Sequence, residues 1–148
     1  MNYIIRQAVP ADKPYIEKLF AEMLRSIYNT DDTEEYEAGY LDKFFGGSAD
    51  RIFVAVVNGE TAAYISVEAY PEHIYLDDFS VSEKYRKIGI GTALVKRAEE
   101  YAGELGLTDV ELHVEKSNAS ALRLYEKLGY RIADEEESRF KMTKKGEI

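Results

Sequence analysis

Cysteine and tryptophan are both absent from the 148 residues. Without a thiol the chain can form no disulfide, no thiolate metal site and no cysteine nucleophile. Histidine occurs twice, at His73 and His113, too far apart to suggest a local ligand motif, and no metal is expected. No apolar run is long enough to span a bilayer. Met1-Asn2-Tyr3 leads straight into an apolar strand rather than a signal peptide, so a cytoplasmic protein with no membrane partner is expected. Positive charge is scarce as well: 19 Lys and Arg face 28 Asp and Glu, a net charge of -9. Nucleic acid is therefore an unsuitable partner, because phosphate binding needs a basic face. With no internal repeat and no low-complexity segment, residues 1–148 are expected to form one domain with a single core.

What is present centres on the stretch from Tyr75 to Tyr130. Ile74 to Val81 has the aromatic and β-branched residues of a strand, yet carries Asp77 and Asp78 in its middle. Thr92 to Leu105 spaces Ala93, Leu94, Ala98, Tyr101, Ala102 and Leu105 as one helical face. Between them lies the turn Tyr85-Arg86-Lys87-Ile88-Gly89-Ile90-Gly91. Strand, glycine turn and helix together form an anion cradle: glycines admit close approach of the backbone, and the first helical turn offers free amides and the positive end of its dipole. Arg86 and Lys87 add charge, and a pyrophosphate is the natural guest. The same glycines could open a dinucleotide-binding βαβ unit, with Glu111 near the place of an acidic ribose ligand. That fingerprint, however, wants a small residue where Leu94 stands and a turn at the strand end, whereas Ser82 to Tyr85 intervene.

Val81-x-x-x-Tyr85-Arg86-x-x-Gly89-Ile90-Gly91, followed by Ser117-Asn118-x-x-Ala121-x-x-Leu124-Tyr125-x-x-Leu128-Gly129-Tyr130, resembles the GNAT superfamily of acyl-CoA-dependent N-acetyltransferases. Ile74 to Phe79 is similar to a strand of the spermidine/spermine acetyltransferases. Ser117 to Tyr130 equally resembles the ribosomal-protein alanine acetyltransferases. The resemblance implies an α/β (α+β) fold whose mixed, mostly antiparallel sheet is splayed in the middle and flanked by helices. It also implies acetyl-CoA as co-substrate and an amine acceptor. Dimers are frequent among such proteins, so a homodimer is one assembly it admits.

The order of elements agrees. Asn2 to Val9 is a predicted strand, and Pro10-Ala11-Asp12 starts a helix to about Tyr28 with Ile16, Leu19, Phe20, Met23, Leu24 and Ile27 along one stripe. A looser helix over about Thr33 to Phe45, closed by Gly46-Gly47, follows an acidic turn. Ile52 to Val57 and Thr61 to Tyr70 form a hairpin at Asn58-Gly59. After the cradle come a strand from Asp109 to Val114, a helix from Asn118 to Leu128, and strands from Tyr130 to Ala133 and Arg139 to Thr143. Asp31, Asp32, Glu34, Glu35, Glu37 and Asp42 cluster between the first two helices and, in this fold, would lie near the acceptor mouth. Asp134 to Glu137 form a second acidic run, of the kind that is usually a solvated face.

A buried carboxylate needs a partner or a proton, so Asp77 and Asp78 mark a candidate site. Strand alternation sends them to opposite faces unless a bulge intervenes, and Asp77 is the expected base. The resemblance supports Asp77, where the spermidine/spermine enzymes carry a Glu proposed as base; the shorter Asp would work through a water. A base is needed because an ammonium of pKa about 10.4 has no lone pair with which to attack a thioester. Tyr125 lies seven residues after Asn118, on the same helical face; spacing alone favours a packed core tyrosine, and it is the match to the family motif that makes this phenol the expected acid for the departing thiolate. His113, where the alanine acetyltransferases carry a catalytic Glu, is an alternative base. The resemblance assigns Phe79, Ser80 and Val81 to the pantetheine arm and the oxyanion. It assigns Arg86, Lys87, Ile88, Gly89, Ile90, Gly91 and Thr92 to the pyrophosphate, with Asn118, Ser120 and Tyr125 as further cofactor contacts. A cationic small molecule or a lysine side chain is the expected acceptor and a peptide N-terminus the alternative; a non-catalytic acyl-CoA binder is the contrasting reading.

Overall fold

A computed structural model describes residues 2–28 and 39–146. Seven strands form one sheet in the order β1-β2-β3-β4-β5-β7-β6. They are β1 Tyr3–Gln7, β2 Arg51–Val57, β3 Glu60–Ala69, β4 His73–Val81, β5 Asp109–Glu115, β6 Arg131–Glu135 and β7 Arg139–Lys144. The helices are α1 Lys13–Tyr28, α2 Ile90–Glu104 and α3 Ala119–Lys127. Among the described residues only β4 and β5 pair in parallel. That arrangement removes the dinucleotide-binding alternative, which needs a mainly parallel sheet.

Asn58 and Gly59 close the β2–β3 hairpin, with φ of 50° and 80°. Both are left-handed, which is what a two-residue turn requires for its twist to match the strands. The sheet is covered on two sides. Ile16 and Leu19 of α1 pack with Ile52, Val54, Tyr64 and Phe44 on one face. On the other face α2 brings Leu94, Val95 and Ala98 against Phe53, Ile65, Ile74 and Leu112. No described helix is long and apolar enough to cross a membrane.

The expected helix over Thr33 to Phe45 is not what the described part of that segment forms. Residues 33–38 lie outside the described residues. From Tyr40 to Phe44 the chain makes a short 3-10 turn, entered through Gly39 at φ 81° and burying Leu41 and Phe44. Bounded by Gly39 on one side and Gly46-Gly47 on the other, the segment is too short for α-helical hydrogen bonding to propagate.

Two irregularities of β4 create the site. First, its pairing with β5 runs only from His73↔Asp109 to Leu76↔Leu112, although β4 continues to Val81 and β5 to Glu115. The strands therefore diverge beyond Leu76 and leave a gap in the middle of the sheet. Second, the β3–β4 register moves from Ile65↔Phe79 to Val67↔Leu76, so Asp77 and Asp78 together oppose Ser66 in a β-bulge. The buried Ser66 hydroxyl braces it by accepting the Asp78 N–H at 2.8 Å. The bulge resets the alternation. Ile74 and Leu76 before it and Phe79 and Val81 after it all pack into the α2-side core. Asp77 and Asp78 are thus both turned to the α1 side, and the expectation that they face opposite ways is corrected: one inserted residue cancels the two-residue period.

Candidate active site

The gap opens into a cleft of about 860 Å³, lined by β4, β5, the turn before α2, α3, and Phe20, Met23 and Leu24 of α1. At one end stands the glycine turn. It is tethered from below: the Tyr85 hydroxyl donates to Glu60 at 2.6 Å and the Glu83 N–H to Glu22 at 3.0 Å. Arg86 folds back so that its Nε donates to the Val81 carbonyl at 3.1 Å. Lys87 and Gly89 have φ of 67° and 87°, and a non-glycine residue held in this region marks a strained, purposeful turn. The helix begins at once, its first backbone bond running from Ala93 N–H to Gly89 O at 3.1 Å. The amides of Ile90, Gly91 and Thr92 consequently have no intrahelical acceptor. A Cβ on Gly91 would stand 3.0 Å from Phe79 and 3.6 Å from Leu124, so the bare backbone is what lets the helix start approach both walls. Of the residues assigned to this end, Ile88 is the exception: its side chain is 41% exposed and stands outside the lining.

Halfway along the cleft, the Ser82 N–H bonds to Ala62 O at 2.8 Å. Antiparallel pairs alternate between bonded and non-bonded, so Ser80 shares the bonded register with β3 while the amides of Phe79 and Val81 face the gap. The Ser80 hydroxyl is committed elsewhere, donating to Leu19 O at 3.2 Å. Tyr125 enters from α3, its ring centroid 6.1 Å from Phe79 and 5.6 Å from Tyr130. It is buried, and among the described residues its hydroxyl has no hydrogen-bond partner, although every fully buried polar side-chain atom has one; the oxygen is therefore open to the cleft. Burial, reinforced by Tyr75, pushes this phenol above its ordinary pKa and keeps it protonated. Asn118 caps α3 by accepting the Ala121 N–H at 3.2 Å and also lines the cleft, as does Ser120.

At the far end are the acids. Asp77 accepts from the Tyr40 hydroxyl at 2.8 Å, and burial together with that bond raises the Tyr40 phenol. Asp78 lines the same cleft. His113 sits just past the last β4–β5 pair and is engaged through both ring nitrogens: Nδ1 lies 2.6 Å from the Tyr75 hydroxyl and Nε2 3.0 Å from Glu136. A carboxylate only accepts, so in the neutral ring Nε2 carries the proton and Nδ1 accepts from Tyr75. As an isolated base His113 has no spare lone pair, and it reaches an acceptor only through Tyr75. Burial and the Asp77 charge push the Tyr75 phenol up to about 12.

Sequence reasoning missed Tyr40, Tyr75 and Glu136, which come from separate elements and share no local spacing. Glu136, expected on a solvated acidic run, is instead held between His113 and Arg139. Of the other acidic cluster, Asp31 to Glu37 lies outside the described residues, and Asp42 pairs with Lys13. Among the described residues no group of three or more His, Cys, Asp or Glu could hold a metal ion.

Residues 19–130 match the model of the Acetyltransferase (GNAT) family. The chain is 31% identical over 141 residues to an N-alpha-acetyltransferase of Sulfurisphaera tokodaii, covering 86% of this chain and 71% of that protein. It is 30% identical over 126 residues to the streptothricin acetyltransferase of Streptomyces lavendulae, covering 82% of this chain but only 60% of the relative. Its fold is similar to that of the PaiA N-acetyltransferase from Thermoplasma acidophilum, solved in complex with coenzyme A. That likeness has a TM-score of 0.83 at 18% identity and covers 98% of this chain and 99% of the other.

Proposed function

Because the chain belongs to the GNAT family of acetyl-CoA-dependent N-acetyltransferases, we propose that it acetylates a primary amine on a cationic acceptor. The acceptor is a polyamine-like or aminoglycoside-like molecule or a lysine side chain. One observation carries this reading: the cleft is bipolar, with free amides and cations at the α2 end and two carboxylates on one side of the β4 bulge at the other. Phosphates suit the first end and an ammonium the second.

The residues of the cleft fit acetyl-CoA, which supplies an activated acetyl group. The Gly91 close approach and the unpaired amides of Ile90 to Thr92 suit its pyrophosphate, with Arg86 and Lys87 alongside. The outward amides of Phe79 and Val81 suit an extended arm laid along β4 and a developing oxyanion. Asp77, oriented by Tyr40, takes the proton from the acceptor ammonium through a water. The freed nitrogen then bonds to the acetyl carbon while the carbon–sulfur bond breaks and its electron pair stays on sulfur, and the nitrogen releases its second proton to solvent to give the neutral amide. Tyr125 donates its hydroxyl proton to that sulfur and is reprotonated from solvent. No covalent enzyme intermediate is needed, consistent with the absence of cysteine.

A second acceptor, a peptide N-terminus, is favoured by the relative named N-alpha-acetyltransferase. The test is a calorimetric titration with acetyl-CoA and, separately, NADH, followed by a thiol-release assay over polyamines, lysine peptides and free-N-terminus peptides. Saturable binding of acetyl-CoA alone, with turnover fastest on the cationic amines, is expected. No binding of acetyl-CoA would overturn the reading, and turnover on peptide N-termini alone would replace its acceptor.

A further inference from the structure

Tyr75 and His113 flank the last β4–β5 pair, Leu76↔Leu112, where the two strands separate, and both line the cleft. Their short contact is one link in a chain of hydrogen bonds whose directions are all fixed. Arg139 can only donate, and its Nε does so to one Glu136 oxygen at 2.8 Å. That bond holds the Glu136 carboxyl below its ordinary pKa, so its other oxygen is an acceptor, and His113 Nε2, 3.0 Å away, must donate to it. With the proton fixed on Nε2, the neutral ring leaves Nδ1 bare, and the Tyr75 hydroxyl donates to it at 2.6 Å. Glu136 is itself held by backbone bonds. Its N–H donates to Arg139 O at 2.8 Å, and the turn it starts is tied to β5 by the Lys116 N–H on Ser138 O at 2.9 Å. Among the described residues the Tyr75 hydroxyl has no other hydrogen-bond partner. Its one proton is committed, and what it offers the cleft is lone pairs.

Resting on the acyl-transfer reading above, we propose that Tyr75 holds the acceptor nitrogen by accepting one of its N–H groups, and that Glu136 is a positioning residue that enforces this polarity through the tautomer of His113. The polarity matters because of what attack requires. A hydroxyl that donated to the amine would occupy the lone pair that must reach the thioester carbon. A hydroxyl that only accepts leaves that pair free and grips an N–H instead. A primary ammonium has three such groups, so one stays on Tyr75 while another is lost toward Asp77. Asp77 is near enough for its charge to be felt at the Tyr75 phenol. The nitrogen is thus held through its deprotonation rather than released by it.

The experiment has two readouts. Long-range proton–nitrogen NMR spectra at about pH 8.5, roughly two units above the ordinary imidazole pKa, show which ring nitrogen carries the proton. With only two histidines in the chain, His73→Gln assigns the signals. Wild-type His113 should carry the proton on Nε2 alone, whereas Glu136→Gln, whose amide can accept or donate, should admit a share of the Nδ1 form. Next, kcat/KM is measured on spermidine, a lysine peptide and a free-N-terminus peptide, the fastest of them serving as probe. Tyr75→Phe should lower it about tenfold, mainly by raising KM, and Glu136→Gln about threefold, with the acetyl-CoA Kd within about twofold of wild type. The double variant should match Tyr75→Phe alone, because Glu136 acts through that hydroxyl. A wild-type proton on Nδ1 or on both nitrogens, an unchanged tautomer in Glu136→Gln, wild-type kinetics in Tyr75→Phe, or additive losses in the double variant would each overturn the proposal. No turnover by wild type on any of the three probes would instead overturn the acyl-transfer reading, and the Tyr75 contact with it. The ring spectra need no substrate and keep the two failures apart.

Discussion

At the end of the cleft held by α2 the binding groups are main-chain amides, fixed by two left-handed residues and the start of a helix. At the end held by Asp77 they are side chains delivered from β4, β5, the 3-10 turn after Gly39 and the segment before β7. An end made of backbone tolerates most side-chain changes but is harmed by a single added carbon. An end made of side chains behaves oppositely, since each group can be removed or repositioned on its own. On the proposed reading, donor recognition is stiff and acceptor recognition adjustable within one cavity.

Tyr125 sits at the seam, and its removal should have the largest effect. Tyr125→Phe is expected to lower kcat by about 10²-fold with calorimetric affinity for acetyl-CoA retained. Wild-type turnover in that variant would dismiss the acid role. Next, Asp77→Asn should reduce kcat/KM for the amine by about 30-fold without changing the acetyl-CoA Kd. A full rate in Asp77→Asn, with the loss appearing in Tyr75→Phe and His113→Gln instead, would move the base to the Tyr75–His113 pair. Gly91→Ala attacks the other end: the new methyl meets Phe79, so acetyl-CoA binding should weaken about fivefold, while a better helix former keeps thermal stability level or slightly higher. An unchanged Kd in that variant would show that the helix start is not in close contact with the donor.

The smallest effect lies outside both ends. Asp12 accepts two bonds from Arg6, at 2.7 and 3.0 Å, and one from the Val9 N–H at 2.8 Å. The Arg6 guanidinium holds its carboxyl below the usual range. A depressed folded-state pKa stabilises the fold above the unfolded value of about 3.9, and that stabilisation disappears as pH falls through the folded value. Asp12→Asn should therefore cost about 1 kcal/mol at neutral pH, with Arg6 partly exposed. The difference from wild type in urea midpoint should vanish in acid; a difference that persists at low pH would mean the carboxylate charge is not its source.

The same contrast explains what was legible in the sequence. Asn58-Gly59 and the Asn118 cap are local signals in which a residue's own conformational preference or short side chain fixes the geometry, and each stands where its residues indicated; the helix after the glycine turn begins at Ile90, two residues before the expected Thr92, because Gly89 in the left-handed region already serves as its cap. The acceptor end could not be read so. The bulge at Asp77-Asp78 depends on the Ser66 hydroxyl across the sheet, and the Tyr40–Asp77 bond joins positions 37 residues apart. The segment around Tyr40 has helical periodicity, but Gly39 leaves only five residues before the next break.

The divergence of β4 from β5 also bears on solubility. A strand edge with unpaired amides ordinarily invites pairing with another chain. Here the open edge from Asp77 to Val81 lies recessed between α1 on one side and α2 and α3 on the other. To pair with it, a second polypeptide strand would have to seat its side chains between those walls. The walls of the cleft thus stand where a pairing strand would place its side chains, the kind of cover that guards an unpaired edge.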